Sequence, residues 1–253
     1  MFTYNSDLTD AQWKAIKHFF NGQTFRRHTP RKIVNALFYL NKTGVQWRWL
    51  PQGFPPWQTV YYHFRQWMNK GIWERLNDAL RRAVRVKAGR YASPSAAIID
   101  SQSVKTSYVG GARGFDGGKL VHGRKRHIVT DTLGLILAVM VHRADLADSQ
   151  QAPHLLKRLV GKVPRLRVIF ADQGYKGTPA GLVWRVFGWF WQVVCREESQ
   201  RGFVVLPKRW IVERTFSWFG GSRRLSKDYE YLPEVSEAMV QISSIRLMVR
   251  RLA

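Results

Sequence analysis

The chain has 253 residues, with 41 Lys and Arg against 17 Asp and Glu, giving a formal net charge of +24. Such an excess goes beyond what solubility requires. Because the basic residues spread from Arg26 to Arg251, it implies a polyanionic partner met on several surfaces, nucleic acid rather than an acidic peptide. The longest apolar runs, 133–141 and 186–194, reach about half a bilayer span, the N-terminal MFTYNSDLTD lacks the basic start of a secretory signal, and the single Cys195 excludes an internal disulfide or a cysteine zinc cluster. No membrane association is expected, and the reading is a cytoplasmic, nucleoid-associated protein.

In chain order, Ser6 to Phe20 has helical spacing, with Thr9 or Asp10 as N-cap. Thr29 and Pro30 open a second helix that ends at Gly44. A third follows Pro55 and Pro56, from Trp57 to about Asn69, and a fourth runs from Ile72 to about Val86. Residues 1–92 therefore read as an all-α, helix-turn-helix-like domain. Gln58, Thr59, Tyr62, His63 and Arg65 on the third helix can reach base edges and phosphates, while Trp57, Val60, Tyr61, Phe64 and Trp67 look like packing positions on its other side.

After Ser93 and Pro94 the period changes, and residues 93–253 read as a second, α/β domain. Ala96–Ile99 stops at Asp100, and Val168–Ala171 stops at Asp172. A short apolar run ending in an acid reads as a strand buried on both faces, with the carboxylate emerging at its C-terminal edge, where open α/β sheets place their ligands. Between the two lie a glycine-rich basic stretch, 110–126, read as a DNA-contacting loop containing Arg124, Lys125 and Arg126, and a hairpin turning at 131–134. That glycine-rich stretch lacks the Gly-Lys-Ser/Thr of a P-loop. A helix near 149–159, a mixed segment around 184–196 and a final helical stretch complete the chain.

A third acid, Glu213, sits on a basic, aromatic helix. Three converging carboxylates repel one another unless cations neutralise them, which points to a divalent-metal site. Arg209, Glu213, Arg224 and Lys227 would share one stripe if that helix were continuous. Trp210, Phe216, Trp218 and Phe219 are either base-stacking or packing residues. His127 and His142, placed at opposite ends of the hairpin, are strand or surface histidines or else proton carriers. Asp116, Asp131, Asp145 and Asp148 occupy loop, turn and pre-helix positions with structural roles.

IIDSQSVK (98–105), HGRKRHIVTDTLG (122–134), ADQGYKG (171–177) and WIVERTFSWFGGSRRLSKDYE (210–230), together with LTDAQW and GVQWRWLP near the N-terminus, closely resemble bacterial insertion-sequence DDE transposases of the IS-five family. The resemblance covers essentially the whole chain. It implies an RNase H-like mixed sheet with flanking helices, and Asp100, Asp172 and Glu213 as catalytic and metal-binding acids for two Mg²⁺ or Mn²⁺ ions, which suit hard oxygen ligands. It further implies metal-dependent cleavage and strand transfer of double-stranded DNA, recognition of the element's terminal inverted repeats and of target DNA, and a homodimer or higher oligomer. Arg209, Arg214, Arg223, Arg224 and Lys227 are the candidate end-DNA contacts near Glu213. One departure stands out: the family's basic residue about two turns beyond the glutamate is replaced by Gly220 and Gly221, where the helix is expected to bend. Two other readings remain, a different RNase H-like metal nuclease and a non-catalytic DNA-binding regulator.

Overall fold

A computed structural model describes residues 4–21, 27–108, 110–178, 180–194 and 208–253; Arg26 and Cys195 lie outside them. Helix α1 (Asp10–Ile16) starts from a capping box between Thr9 and Gln12 and runs into a 3-10 turn over Lys17–Phe20. Helix α2 (Pro30–Thr43) is capped by the Thr29 hydroxyl and closed by Gly44 at φ 73°, a conformation that costs glycine nothing. Helices α3 (Trp57–Asn69) and α4 (Ile72–Lys87) are joined through Lys70 and a left-handed Gly71. The first helix is shorter than its sequence spacing suggested, because Thr9 takes the N-cap backbone and residues 6–8 remain outside it.

The sheet is built on β1 (Ala96–Lys105), which pairs antiparallel with β3 (Val121–Asp131) and parallel with β5 (Val168–Ala171). Beyond β5 lies β6 (Phe190–Val193), also parallel. Gly123 pairs with both Lys105 and Gly114, and Arg124 with both Val104 and Arg143. The short β2 (Gly114–Asp116) and β4 (Ile136–Arg143) therefore follow one another along the outer edge of β3. An antiparallel three-stranded unit extended by two parallel strands, with helices on both faces, is the RNase H-like arrangement.

Two expectations are corrected here. Strand β1 continues five residues beyond Asp100, so this acid stands in mid-strand opposite Ile128 rather than at a strand end. The stretch 110–126 is not a loop throughout: Gly114–Asp116 is β2 and Val121–Arg126 belongs to β3, which has β1 on one side and β2 and β4 on the other.

Alternation along the strands feeds two cores. Ile98, Ile128, Ile136, Val139 and Phe170 face one cluster, shared with α1–α4, α7 (Arg209–Gly220) and α8 (Pro233–Leu252). Ala97, Ile99, Val129, Leu137, Ile169 and Ala171 face the other, under α5 (Asp148–Lys157) and α6 (Ala180–Phe187). Helix α8 buries Val235, Ala238, Met239, Ile242, Ile245 and Met248, and Met239 O accepts from buried Asn41 Nδ2 at 3.0 Å. The N-terminal helices thus share one continuous core with the C-terminal helix and the sheet. Residues 1–92 made alone would expose that surface, and a non-cooperative thermal transition by circular dichroism is expected; a sharp, cooperative one would show a self-sufficient core.

The β3–β4 turn is fixed by Asp131, which accepts from Leu133 N and Leu135 N at 2.8 and 2.9 Å and pairs with Arg85 Nη1 at 2.7 Å, both charges being buried. Removing one partner of such a pair strands the other charge, at about 3–5 kcal/mol. Arg85→Leu is expected to lose stability of that order in urea unfolding; an unchanged midpoint would mean that water reaches Asp131.

Candidate active site

Ile98 pairs with Phe170 across the parallel β1–β5 ladder, and two residues further along each chain stand Asp100 and Asp172. Because side chains alternate, both acids share the Ile98/Phe170 face, against which α7 packs with Glu213. Arg209, one turn before Glu213, joins the set: its Nε lies 3.0 Å from Glu213 Oε1 and its Nη2 3.7 Å from Asp172 Oδ2. Glu213 is the most open of the three acids, with a side chain 54% exposed.

Local structure explains each placement. Asp172 N-caps the 3-10 turn Gln173–Tyr175, its Oδ1 accepting from Gly174 N at 2.9 Å, which leaves Oδ2 turned toward Arg209. Asp100 Oδ1 accepts from Ser101 N at 2.7 Å. Helix α7 is seated by Thr215 Oγ1, which donates to Gly134 O at 2.8 Å. A Cβ on Gly134, at φ 80°, would come within 2.7 Å of that hydroxyl, so the turn must be glycine for α7 to dock. Lys208, in a left-handed conformation at the helix start, holds its ammonium 3.6 Å over the Phe170 ring.

The electrostatics are those of a site short of positive charge. Burial, then the neighbouring Asp172, pushes the Asp100 carboxyl up to about 7. Lys119 and Arg209 pull it the other way without offsetting this. Lys119 Nζ donates to Ser101 O at 3.1 Å, which places a cation beside the acids. The all-oxygen donor set and the excess negative charge match a hard divalent cation.

Other expected contacts fare differently. Arg124, Lys125 and Arg126 are buried and are not free to touch DNA. Arg124 donates to Ala112 O, Glu230 O and Tyr231 O and faces Asp228; Arg126 donates to Leu225 O and Lys227 O; Lys125 lies 3.2 Å from Asp148 and donates to Leu146 O. They anchor the segment 223–231 and the start of α5 to β3. The single basic stripe is also corrected. Helix α7 ends at Gly220, and Arg224 turns inward to pair with Glu230 at 2.8 Å, so of the expected stripe only Arg209 stays beside Glu213, while Arg223 and Lys227 are exposed beyond the helix.

Arg214 lies between Trp210 and Trp218, 4.6 and 4.7 Å from their ring centroids, and Arg251 covers Trp218 at 4.4 Å. Arg251 is therefore a neighbour of α7, although far along the chain. Phe216 and Phe219 are packing residues. On α3, Val60, Phe64 and Trp67 face the core, Gln58 and Tyr62 are exposed, and Thr59, His63 and Arg65 are partly so. His127 and His142 are not at opposite ends of the hairpin: their ring nitrogens are 3.4 Å apart, on the face of the sheet away from the acids. Tyr175 and Lys119 were not singled out by sequence. ADQGYKG contains the tyrosine, but nothing local says that it turns inward.

The sheet order, with two acids at its parallel pair, defines a protein of the RNase H-like fold class. A family model described as "Transposase DDE domain" matches residues 91–248, and the chain belongs to that family. A second model, of a transposase of the IS4/5 family, matches residues 8–77. Among curated proteins, a transposase described for insertion sequence element IS402 of Burkholderia cepacia is 30% identical over 131 residues, 47% of this chain and 60% of that protein. The chain thus spans three-fifths of that relative's length. The uncharacterized protein y4sN of Sinorhizobium fredii is 27% identical over 118 residues, 45% of this chain and 88% of that one. A chain of the Mos1 strand transfer complex aligns over 93% of this chain at 12% identity with a TM-score of 0.25, a superposition too loose to carry an argument. Among the described residues no helix is long and apolar enough to cross a membrane.

Burial of Asp100 ties folding stability to pH. A carboxyl that titrates near 7 when folded and near 3.8 when fully solvated keeps its proton in the native protein while the unfolded chain has lost it. Its contribution therefore disfavours folding increasingly as pH rises through that window. In EDTA, Asp100→Asn is expected to raise Tm by several degrees at pH 8 and by much less at pH 5; an equal gain at both would place Asp100 in an ordinary solvated environment.

Proposed function

We propose that the protein is a DNA transposase that binds the terminal inverted repeats of its mobile element, cuts the DNA there and joins the freed ends to target DNA. Asp100, Asp172 and Glu213 are its catalytic acids. The observation that carries this reading is the convergence of those carboxylates on one face, with Arg209 between two of them, in a chain of the DDE family.

The three acids would hold two Mg²⁺ or Mn²⁺ ions, whose chemistry is to lower the pKa of a nucleophilic water or 3′-hydroxyl and to neutralise the leaving oxygen of a phosphodiester. The chain's own residues do the rest. Asp100 gives up the proton that burial favours, so cation binding should release protons near neutral pH. Arg209, half-buried between Glu213 and Asp172, would be within reach of a DNA phosphate, as would Lys119 and Lys208. Duplex recognition falls to the exposed side of α3, around Gln58 and Tyr62, with Arg223 and Lys227 contributing beyond α7. Pairing two element ends calls for a homodimer or larger assembly on DNA.

Asp100→Asn, Asp172→Asn and Glu213→Gln should each reduce Mg²⁺-dependent cleavage of inverted-repeat DNA by at least about 10³-fold, since each removes ligand charge from the reacting centre. Affinity for the same DNA, measured in EDTA, should change little. Full cleavage by any one variant would remove that residue from the site.

A further inference from the structure

On the side of the sheet opposite the acids, four polar groups form a buried line. Tyr175 Oη lies 2.7 Å from His127 Nε2, His127 Nδ1 lies 3.4 Å from His142 Nε2, and His142 Nδ1 lies 2.9 Å from Arg143 O. Tyr175 and His127 have no exposed surface and His142 is buried. The proton positions along the line follow from its last member. A carbonyl only accepts, so His142 Nδ1 carries hydrogen; burial keeps both rings neutral, so His142 Nε2 is bare and accepts from His127 Nδ1–H. His127 Nε2 is then bare in turn, and Tyr175, whose phenol burial holds well above its usual range, must donate to it. The line has one direction, from the Tyr175 hydroxyl to Arg143 O.

The same cluster, with Asp148, has the residue types of a small metal centre. One feature disfavours that use: the Lys125 ammonium lies 3.2 Å from Asp148 Oδ1 and already supplies its counter-charge.

Tyr175 is the last residue of the 3-10 turn that Asp172 caps, and its N donates to Asp172 O at 3.2 Å. At the other end, His127 pairs with Ser101 in the β1–β3 ladder, one position from Asp100. We propose that the Tyr175–His127–His142 chain positions Asp172 against Asp100 from behind the sheet, so that it sets the affinity of the acidic face for divalent cations. Tyr175 and His127 are positioning residues and touch neither DNA nor metal. The inference rests on the acidic site proposed above. A short β5 and a single 3-10 turn give Asp172 few other restraints, whereas Asp100 is held within a long ladder on β1.

The test uses the full-length protein and Mn²⁺, with free Mn²⁺ read by its electron paramagnetic resonance signal and Asp172→Asn defining the background. Tyr175→Phe keeps the ring and removes only the hydroxyl; it is expected to weaken Mn²⁺ binding at the acidic site about tenfold, in the range seen when supporting hydrogen bonds of metal ligands are removed. His127→Leu should do the same, and His127→Gln, which restores an acceptor for the phenol, should recover most of the affinity. Rescue by glutamine is what a purely packing role would not give, and because glutamine is close to histidine in size it also serves should Tyr175→Phe fold poorly. Wild-type Mn²⁺ affinity in Tyr175→Phe, or equal loss in the leucine and glutamine variants, would overturn the inference alone. Wild-type protein that binds no more Mn²⁺ than Asp172→Asn would overturn the acidic site and this inference with it. Stoichiometric zinc in the purified protein that is lost in His142→Gln would overturn the hydrogen-bond chain in favour of a metal centre.

Discussion

The parallel pairing of β1 with β5 is the constraint from which the rest follows. Parallel neighbours put their C-terminal directions on the same side, so two acids that follow matched positions in the ladder arrive side by side on one face. Parallel strands cannot be joined by a tight turn, and here the connection includes β3, β4 and α5. That connection covers the back of the sheet with α5 and leaves the front to α7 and α8. Both the crowding of carboxylates and the availability of a face for Glu213 are products of this one pairing.

The front face is closed by packing that reaches across the whole chain. Helix α8 meets the N-terminal helices and β4, and α7 is seated on the β3–β4 turn through Gly134 and Thr215. The turn depends on Asp131, and Asp131 depends on Arg85 from α4. A residue of the N-terminal helices therefore supports the turn on which the Glu213 helix rests. The N-terminal helices and the Glu213 helix share one core.

Charge is divided between two uses. Arg81, Arg85, Arg124, Lys125, Arg126 and Arg224 are buried, and each has a carboxylate or carbonyl partner at hydrogen-bonding or ion-pair distance. Guanidinium groups suit this work, since several fixed donors can satisfy several carbonyls at once. Arg124 and Arg126 stitch an irregular segment that has few backbone bonds of its own. Exposed basic residues among those described, such as Arg223 and Lys227, offer a surface that a polyanion would meet, and Arg209 stands between the two uses, paired with acids and within reach of solvent.

Much was legible in the sequence because it was encoded locally. Thr29 with Pro30, Gly44, and the prolines before Trp57 mark helix ends through hydrogen bonding and backbone conformation that neighbours determine, and α2, α3 and α4 fall where those signals put them. Apolar runs ending at Asp100 and Asp172 mark buried strands for the same reason. What only the tertiary structure decided is where polar side chains point. GRKRH at 123–127 has the composition of a surface loop, yet it is a buried strand, because the carbonyls and carboxylates that satisfy Arg124 and Arg126 lie in 223–231, and local pattern carries no trace of so distant a partner. The pairing of His127 with Tyr175 and His142, and the inward turn of Arg224, were hidden for the same reason. A chain determines its own helix caps and strand alternation, while the partner of a buried charge is chosen by the fold.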